Sequence, residues 1–220
     1  MAGGEGKRLK AVTGPLPKPM VPLLGKPLME RCVELLRENG IHDICATLRY
    51  NPGPIMDYFG DGEAFGVDIT WRVETQPLGT AGGVKACMDV LGDADFLVIS
   101  GDAACDFDLR RLIDEHERSG AAVTVALCEC AEPLRYGLAV PDAEGDVRCF
   151  IEKPDWGRVV GNLVSTGIYA VSPRAMSYVP DGEMFDFAAD LFPLLLRSGE
   201  RIHGARLDGY WCDVGTPRAY

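Results

Sequence analysis

The chain has 220 residues, 47% hydrophobic and 25% charged, with a net charge of −11 and a pI near 4.7. That length and mixture suit one globular core, here expected as a single domain over 1–220. The acidity and the lack of a long basic tract argue against a nucleic-acid partner, and no apolar run is long enough to span a membrane. The opening Met1-Ala2-Gly3-Gly4 does not read as a secretory signal, and eight cysteines set mostly within apolar runs read as free, buried thiols of a reducing cytoplasm.

Residues 1–27 open with Gly3, Gly4 and Gly6, a loop able to take positive φ and bring backbone N–H groups to an anion. Lys7, Arg8, Lys10, Lys18 and Lys26 against Glu5 alone give this stretch a charge of about +4. Such a loop on an acidic chain points to a polyanion, most simply a nucleoside triphosphate; a solvated turn is the plainer alternative. The spacing fits neither G-x-x-x-x-G-K-[ST] nor G-x-G-x-x-G. Pro17 and Pro19 fix the backbone around Lys18, as for a held cation.

Apolar residues at 28, 29, 32, 33, 35 and 36 predict a helix over 28–39, stopped by Gly40. A strand over 43–48, a short helix over 54–59 and a strand over 68–74 follow. Residues 80–91 read as one helix and 96–99 as a short buried strand. A helix over 109–119 ends at Gly120, with Asp108 as its cap. A strand over 122–128 precedes a hairpin of 138–140 with 147–151, then a strand over 164–171. Pro173 starts a short helix, 185–197 forms another, and 203–207 with 210–213 reads as a final antiparallel pair. The alternation predicts an α/β fold with a mainly parallel sheet.

Three further stretches carry chemistry. Gln76-Pro77-Leu78-Gly79-Thr80 joins a strand to a helix, where α/β sheets bind ligands. Gln76 can donate and accept at a base edge, and Gly79 lets a flat base approach the backbone; a helix entry capped by Thr80 is the alternative. Asp102 follows a buried strand and suits Mg²⁺, which needs only one or two carboxylates beside phosphate oxygens. Glu152-Lys153-Pro154 places a charged pair at a strand end, where a solvated pair is the plain reading. His42, His116 and His203 read as surface or packing residues.

Gly3-Gly4-Glu5-Gly6-Lys7-Arg8-Leu9, Pro17-Lys18-Pro19-Met20-Val21-Pro22 and Gly25-Lys26-Pro27-Leu28 together resemble the signature of sugar-1-phosphate nucleotidyltransferases. The likeness runs nearly end to end and looks nearest to mannose-1-phosphate guanylyltransferases. It implies a Rossmann-like mixed sheet flanked by helices, with a small sugar-binding subregion. It implies Arg8 and Lys18 as catalytic residues, and nucleotide binding by Ala2, Gly3, Gly4, Gly6, Gln76, Gly79 and Thr80. Tyr136-Gly137, Glu152, Lys153, Asn162 and Thr166 would form the sugar-phosphate half, with Asp102 and Asp213 sharing Mg²⁺. The implied substrates are a nucleoside triphosphate and a sugar 1-phosphate, with GTP and mannose 1-phosphate placed ahead of glucose 1-phosphate with UTP, dTTP or ATP. A homo-oligomer stays open. Against the family's pattern the chain is expected to be truncated at both ends, with no hydrophobic strand ahead of the glycine loop. A non-catalytic regulatory subunit of the same fold is the rival; it would be expected to lose residues such as Arg8, Lys18, Asp102 or Asp213.

Overall fold

The computed structural model describes residues 1–4, 6, 8–9 and 14–220. Glu5, Lys7 and Lys10, counted above in the basic stretch, lie outside the described residues. In chain order the strands and helices begin with β1 (Pro22–Leu23), β2 (Lys26–Pro27), α1 (Leu28–Glu38), β3 (Asp43–Leu48), α2 (Gly53–Phe59) and β4 (Asp68–Val73). Then come α3 (Gly79–Lys85), α4 (Met88–Leu91), β5 (Phe96–Val98), β6 (Ala103–Cys105), α5 (Leu109–Ser119) and β7 (Val123–Glu129). The series closes with β8 (Gly137–Pro141), β9 (Val147–Glu152), β10 (Leu163–Val171), α6 (Pro173–Met176), α7 (Phe192–Arg197), β11 (Ile202–Arg206) and β12 (Trp211–Asp213). The described residues fall into two compact units: Met1–Pro77 with Ile99–Phe107 and Gly209–Tyr220, and Leu78–Val98 with Asp108–Asp208.

In the first unit β3 and β4 pair in parallel, in register from Asp43 with Asp68 to Leu48 with Val73. The α1 stripe predicted from its spacing is the buried face: Leu28, Met29, Cys32, Val33, Leu35 and Leu36 all point inward. Met29 and Val33 join Ala46, Leu48, Ile55, Phe59, Val67 and Ile69 in one core. Each Val, Leu, Ile, Met or Phe side chain among these, fully buried, contributes about 1.5–3 kcal/mol. Met1 and Ala2 are tied into this unit: the Ala2 N–H donates to the Thr47 carbonyl at 2.9 Å, and the Gly101 N–H donates to the Met1 carbonyl at 2.8 Å.

The second unit is built on a mixed sheet in the order β11-β7-β10-β8-β9, with β5 also paired to β10. β7 pairs along one edge of β10, antiparallel; β8 meets the other edge at Val164 and β5 meets it at 169–171. The β10–β7 register slips between Ser165 and Tyr169, where Gly167 takes φ 78°. A bulge of this kind needs a residue free to enter the left-handed region. Phe150, Tyr169, Phe187 and Phe192 form an aromatic cluster with ring centroids 4.7–5.9 Å apart. The expected hairpin is β8 with β9, and Asp108 caps α5 by accepting from the Arg110 and Arg111 amides.

Three expectations are corrected. The stretches 203–207 and 210–213 do not pair with each other: β11 lies parallel to β7, and β12 lies antiparallel to β6. Periodicity marks strands and says nothing of their partners. The helix expected over 80–91 is two, α3 and α4, separated at Ala86-Cys87. The helix expected over 185–197 begins as a π-helical turn, Phe187–Leu191, before α7. All eight cysteines are free, but only Cys32, Cys87 and Cys128 are buried and Cys149 is exposed, so the expected burial holds for three; burial pushes the Cys32 thiol up to about 12. No helix among the described residues is long and apolar enough to cross a membrane.

Candidate functional site

The site in the first unit is organised around Lys18. It opens a 3₁₀ turn, Lys18–Met20, entered through Pro17 in the extended conformation, so the backbone on both sides is restricted. The side chain is 8% exposed, and its ammonium lies 2.7 Å from Asp102 Oδ2 and 3.2 Å from Asp213 Oδ1. These partners stand 84 and 195 residues away. β12 brings them together by pairing Asp213 with Ala103, the residue after Asp102.

Gly6 packs directly on this lysine. It holds φ 65°, and a Cβ there would sit 2.9 Å from Lys18 Cβ, so the glycine loop and the lysine require each other. A Cβ on Gly101 would meet the Ala2 Cβ at 3.2 Å, which sets Ala2 against the strand end before Asp102. A Cβ on Gly215 would lie 2.9 Å from Asp213 Oδ2 and 3.2 Å from Arg8 Nη2, which places the Arg8 guanidinium beside the same carboxylate. Lys26 is engaged differently: it pairs with Glu34 and, at 3.3 Å, with Glu30. Its charge is neutralised locally, so the positive field of this stretch is smaller than its sequence implies.

Burial alone would raise the Asp102 carboxyl, but the Lys18 ammonium and hydrogen bonds from Lys18 and Ser100 outweigh it and hold Asp102 below the usual carboxylate range. The Ser100 hydroxyl donates to Asp102 Oδ1 at 2.6 Å, a partner that sequence reading missed although it stands two positions away. Two carboxylates that already share one cation suit Mg²⁺, which takes its remaining ligands from phosphate or water. No cluster of three or more His, Cys, Asp and Glu that could hold a metal ion occurs among the described residues.

In the second unit the β8–β9 hairpin brings Gly137 to Glu152, beside Lys153, while Asn162 and Thr166 lie before and on β10. Gly137 pairs with Glu152, and a Cβ on Gly137 would lie 2.9 Å from Glu152 Oε2. Lys153 takes φ 42° and its ammonium stands 3.5 Å from Glu152 Oε1. A left-handed conformation at a lysine costs about 1–2 kcal/mol and is retained where surroundings demand it. Asn162 is exposed just before β10, its carbonyl accepting from the Cys130 N–H at 2.9 Å. Thr166 is buried, and its hydroxyl donates to the Ala126 carbonyl at 2.9 Å across the bulge.

Gly79 and Thr80 are both engaged by a distant stretch of the chain. On the side of its missing side chain Gly79 faces protein: with φ 72°, its Cβ would meet the Phe185 carbonyl oxygen at 2.6 Å. Thr80 is not the helix cap, which falls on Leu78; its amide and hydroxyl both donate to Asp186. Asp186 carries no sequence signal beyond that of an acid in the first turn of the helix expected over 185–197. Gln76 is exposed, in the first unit.

An α/β chain with a lysine-bridged carboxylate pair under a glycine loop has the features of a phosphate-handling protein. The sequence pattern of the Nucleotidyl transferase family matches residues 1–220, and the chain belongs to that family. It is 35% identical, over its whole length, to the UTP–glucose-1-phosphate uridylyltransferase of Synechocystis, covering 60% of that protein. It is 33% identical to the mannose-1-phosphate guanyltransferase of Candida albicans, covering 61% of it. The chain thus spans about 60% of the length of the curated relatives it matches. Among solved structures, HddC from Yersinia pseudotuberculosis complexed with GMP-PN superposes with a TM-score of 0.84 at 29% identity, covering 100% of this chain and 93% of that one.

Proposed function

We propose that the chain transfers a nucleoside monophosphate from a nucleoside triphosphate to a sugar 1-phosphate, giving a nucleotide sugar and pyrophosphate. The observation that carries this reading is the Lys18 ammonium between Asp102 and Asp213, packed on Gly6 with Arg8 nearby. An oxygen of the sugar phosphate attacks the α-phosphorus, a new P–O bond forms, the bond to the bridging oxygen of the β-phosphate breaks, and pyrophosphate leaves. The nucleophile is already an anion, so no covalent enzyme intermediate is required and the work is alignment and charge neutralisation. Lys18 and Arg8 neutralise the triphosphate, with the Gly3, Gly4 and Gly6 amides along its oxygens. Lys153 attracts the sugar phosphate, and Glu152 accepts from sugar hydroxyls. Mg²⁺, held by Asp102 and Asp213, would supply further charge neutralisation at the phosphate oxygens.

GTP with mannose 1-phosphate is our leading pair, supported by the guanyltransferase relatives and the guanine nucleotide bound to HddC. The uridylyltransferase relative keeps UTP with glucose 1-phosphate as the second. Pyrophosphate release across GTP, UTP, dTTP and ATP with mannose and glucose 1-phosphates tests both. The expected result is release that requires a sugar 1-phosphate and is fastest with GTP and mannose 1-phosphate. Release with no pair would overturn the reaction; fastest release with another pair would overturn only the substrate choice.

A further inference from the structure

A strap from late in the second unit holds the turn that opens α3. The Phe185 N–H donates to the Leu78 carbonyl at 2.8 Å, and the Phe185 carbonyl accepts from the Ala81 and Gly82 amides at 2.9 and 3.0 Å. Asp186 Oδ1 accepts from both the Thr80 amide and the Thr80 hydroxyl, each at 2.9 Å. That hydroxyl accepts in turn from the Phe187 N–H at 2.9 Å. The Asp186 N–H donates to Asp190 Oδ2 at 2.8 Å, which fixes the strap itself. Behind it Phe187 is buried against Tyr169 and Phe192. The fit is tight: a Cβ on Gly79 or on Gly82 would stand 2.6 Å from the carbonyl oxygen of Phe185 or Glu183.

A turn containing Gly79, Gly82 and Gly83 has many accessible conformations, and one that reads a base must hold a single one before the base arrives. Charge-assisted bonds from one carboxylate to an amide and a hydroxyl of the same residue do this directly. We propose that Asp186 is the positioning residue of the nucleotide-reading turn, fixing Gly79 and Thr80 without itself touching the nucleotide. This rests on the proposed nucleotidyl transfer and on the nucleotide-binding role that the family resemblance implies for Gln76, Gly79 and Thr80. It also accounts for the coupling of two distant stretches, since Gly79 and Gly82 are glycines because the strap occupies the space of a side chain.

The test is calorimetric binding of GTP, UTP, dTTP and ATP, with KM for each and for the sugar 1-phosphate, on the intact chain. Asp186→Ala is expected to weaken the preferred triphosphate about tenfold or more and to narrow its margin over the next, with the KM of the sugar 1-phosphate unchanged. Asp186→Asn keeps an oxygen that can accept both bonds and is expected to stay within about threefold of wild type. Thr80→Val, which removes only the hydroxyl bonds, is expected to fall between them, and it carries the test with Asp186→Asn if the alanine variant does not fold. Unchanged nucleotide affinity and selectivity in Asp186→Ala and Thr80→Val would overturn the proposal. So would an Asp186→Asn loss equal to that of alanine, or equal losses for both substrates. A wild-type chain that binds none of the four triphosphates would overturn the nucleotide reading beneath it.

Discussion

Lys18 is a buried cation held by two acids, so substitutions of the three residues should differ in kind. Asp102→Asn or Asp213→Asn leaves a folded chain, because both carboxylates are about 30% exposed and near-isosteric amides replace them. Each should slow pyrophosphate release about 100-fold; wild-type rates in the double variant would contradict the assignment. Lys18→Met leaves the two carboxylates without their counter-ion and should destabilise the chain by about 1–3 kcal/mol at neutral pH, read by urea unfolding. Asp102 is held below its ordinary value, so its contribution is present above about pH 3.9 and is lost as pH falls through the lower folded value. Lys153 gives an opposite prediction. Its left-handed φ favours glycine and its pair with Glu152 is exposed, so Lys153→Gly should raise stability by up to about 1 kcal/mol while weakening use of the sugar 1-phosphate. A fall in both would show that Lys153 is structural.

At the scale of elements, what could be read from the chain depended on range. Helix α1, the β8–β9 hairpin and the Asp108 cap are local: periodicity, a turn sequence and one acid determine them. The partners of β11 and β12 lie far away, at β7 and β6, and strand periodicity does not encode them. The strap on α3 was invisible for the same reason, because Asp186 reaches Thr80 across 106 residues. The histidines were read as packing or surface residues, and α5 shows what the packing involves. His116 is buried with Nδ1 2.8 Å from the Thr124 hydroxyl and Nε2 3.2 Å from the Ser172 hydroxyl. Burial lowers its pKa, with Asp95 opposing and Arg174 assisting. A lowered value means the folded chain resists protonation, so stability present above about pH 6.5 is lost as pH falls below it. His116→Gln should flatten the thermal midpoint between pH 7 and 5; an unchanged slope would place that sensitivity elsewhere.

For the molecule as a whole, the motifs that carry the family resemblance proved easier to read than the topology that assembles them. Gly6, Lys18, Asp102 and Asp213 were named one by one, and in the first unit they converge on a single ammonium. Glu152, Lys153 and Gly137 converge likewise at the hairpin end. Thr80 and Thr166 are held by other protein groups, because a motif gives a residue's position and not the direction of its hydrogen bonds. In the proposed reaction the bond broken lies between the α- and β-phosphates, with a sugar phosphate as the attacking group. Phosphorus NMR of the chain with GTP, mannose 1-phosphate and Mg²⁺ follows every phosphorus at once. The expected result is that the sugar-phosphate and α-phosphate signals disappear together into a coupled diphosphate pair as free pyrophosphate grows in equal amount. Orthophosphate with GDP, or pyrophosphate with free GMP and the sugar phosphate untouched, would contradict it.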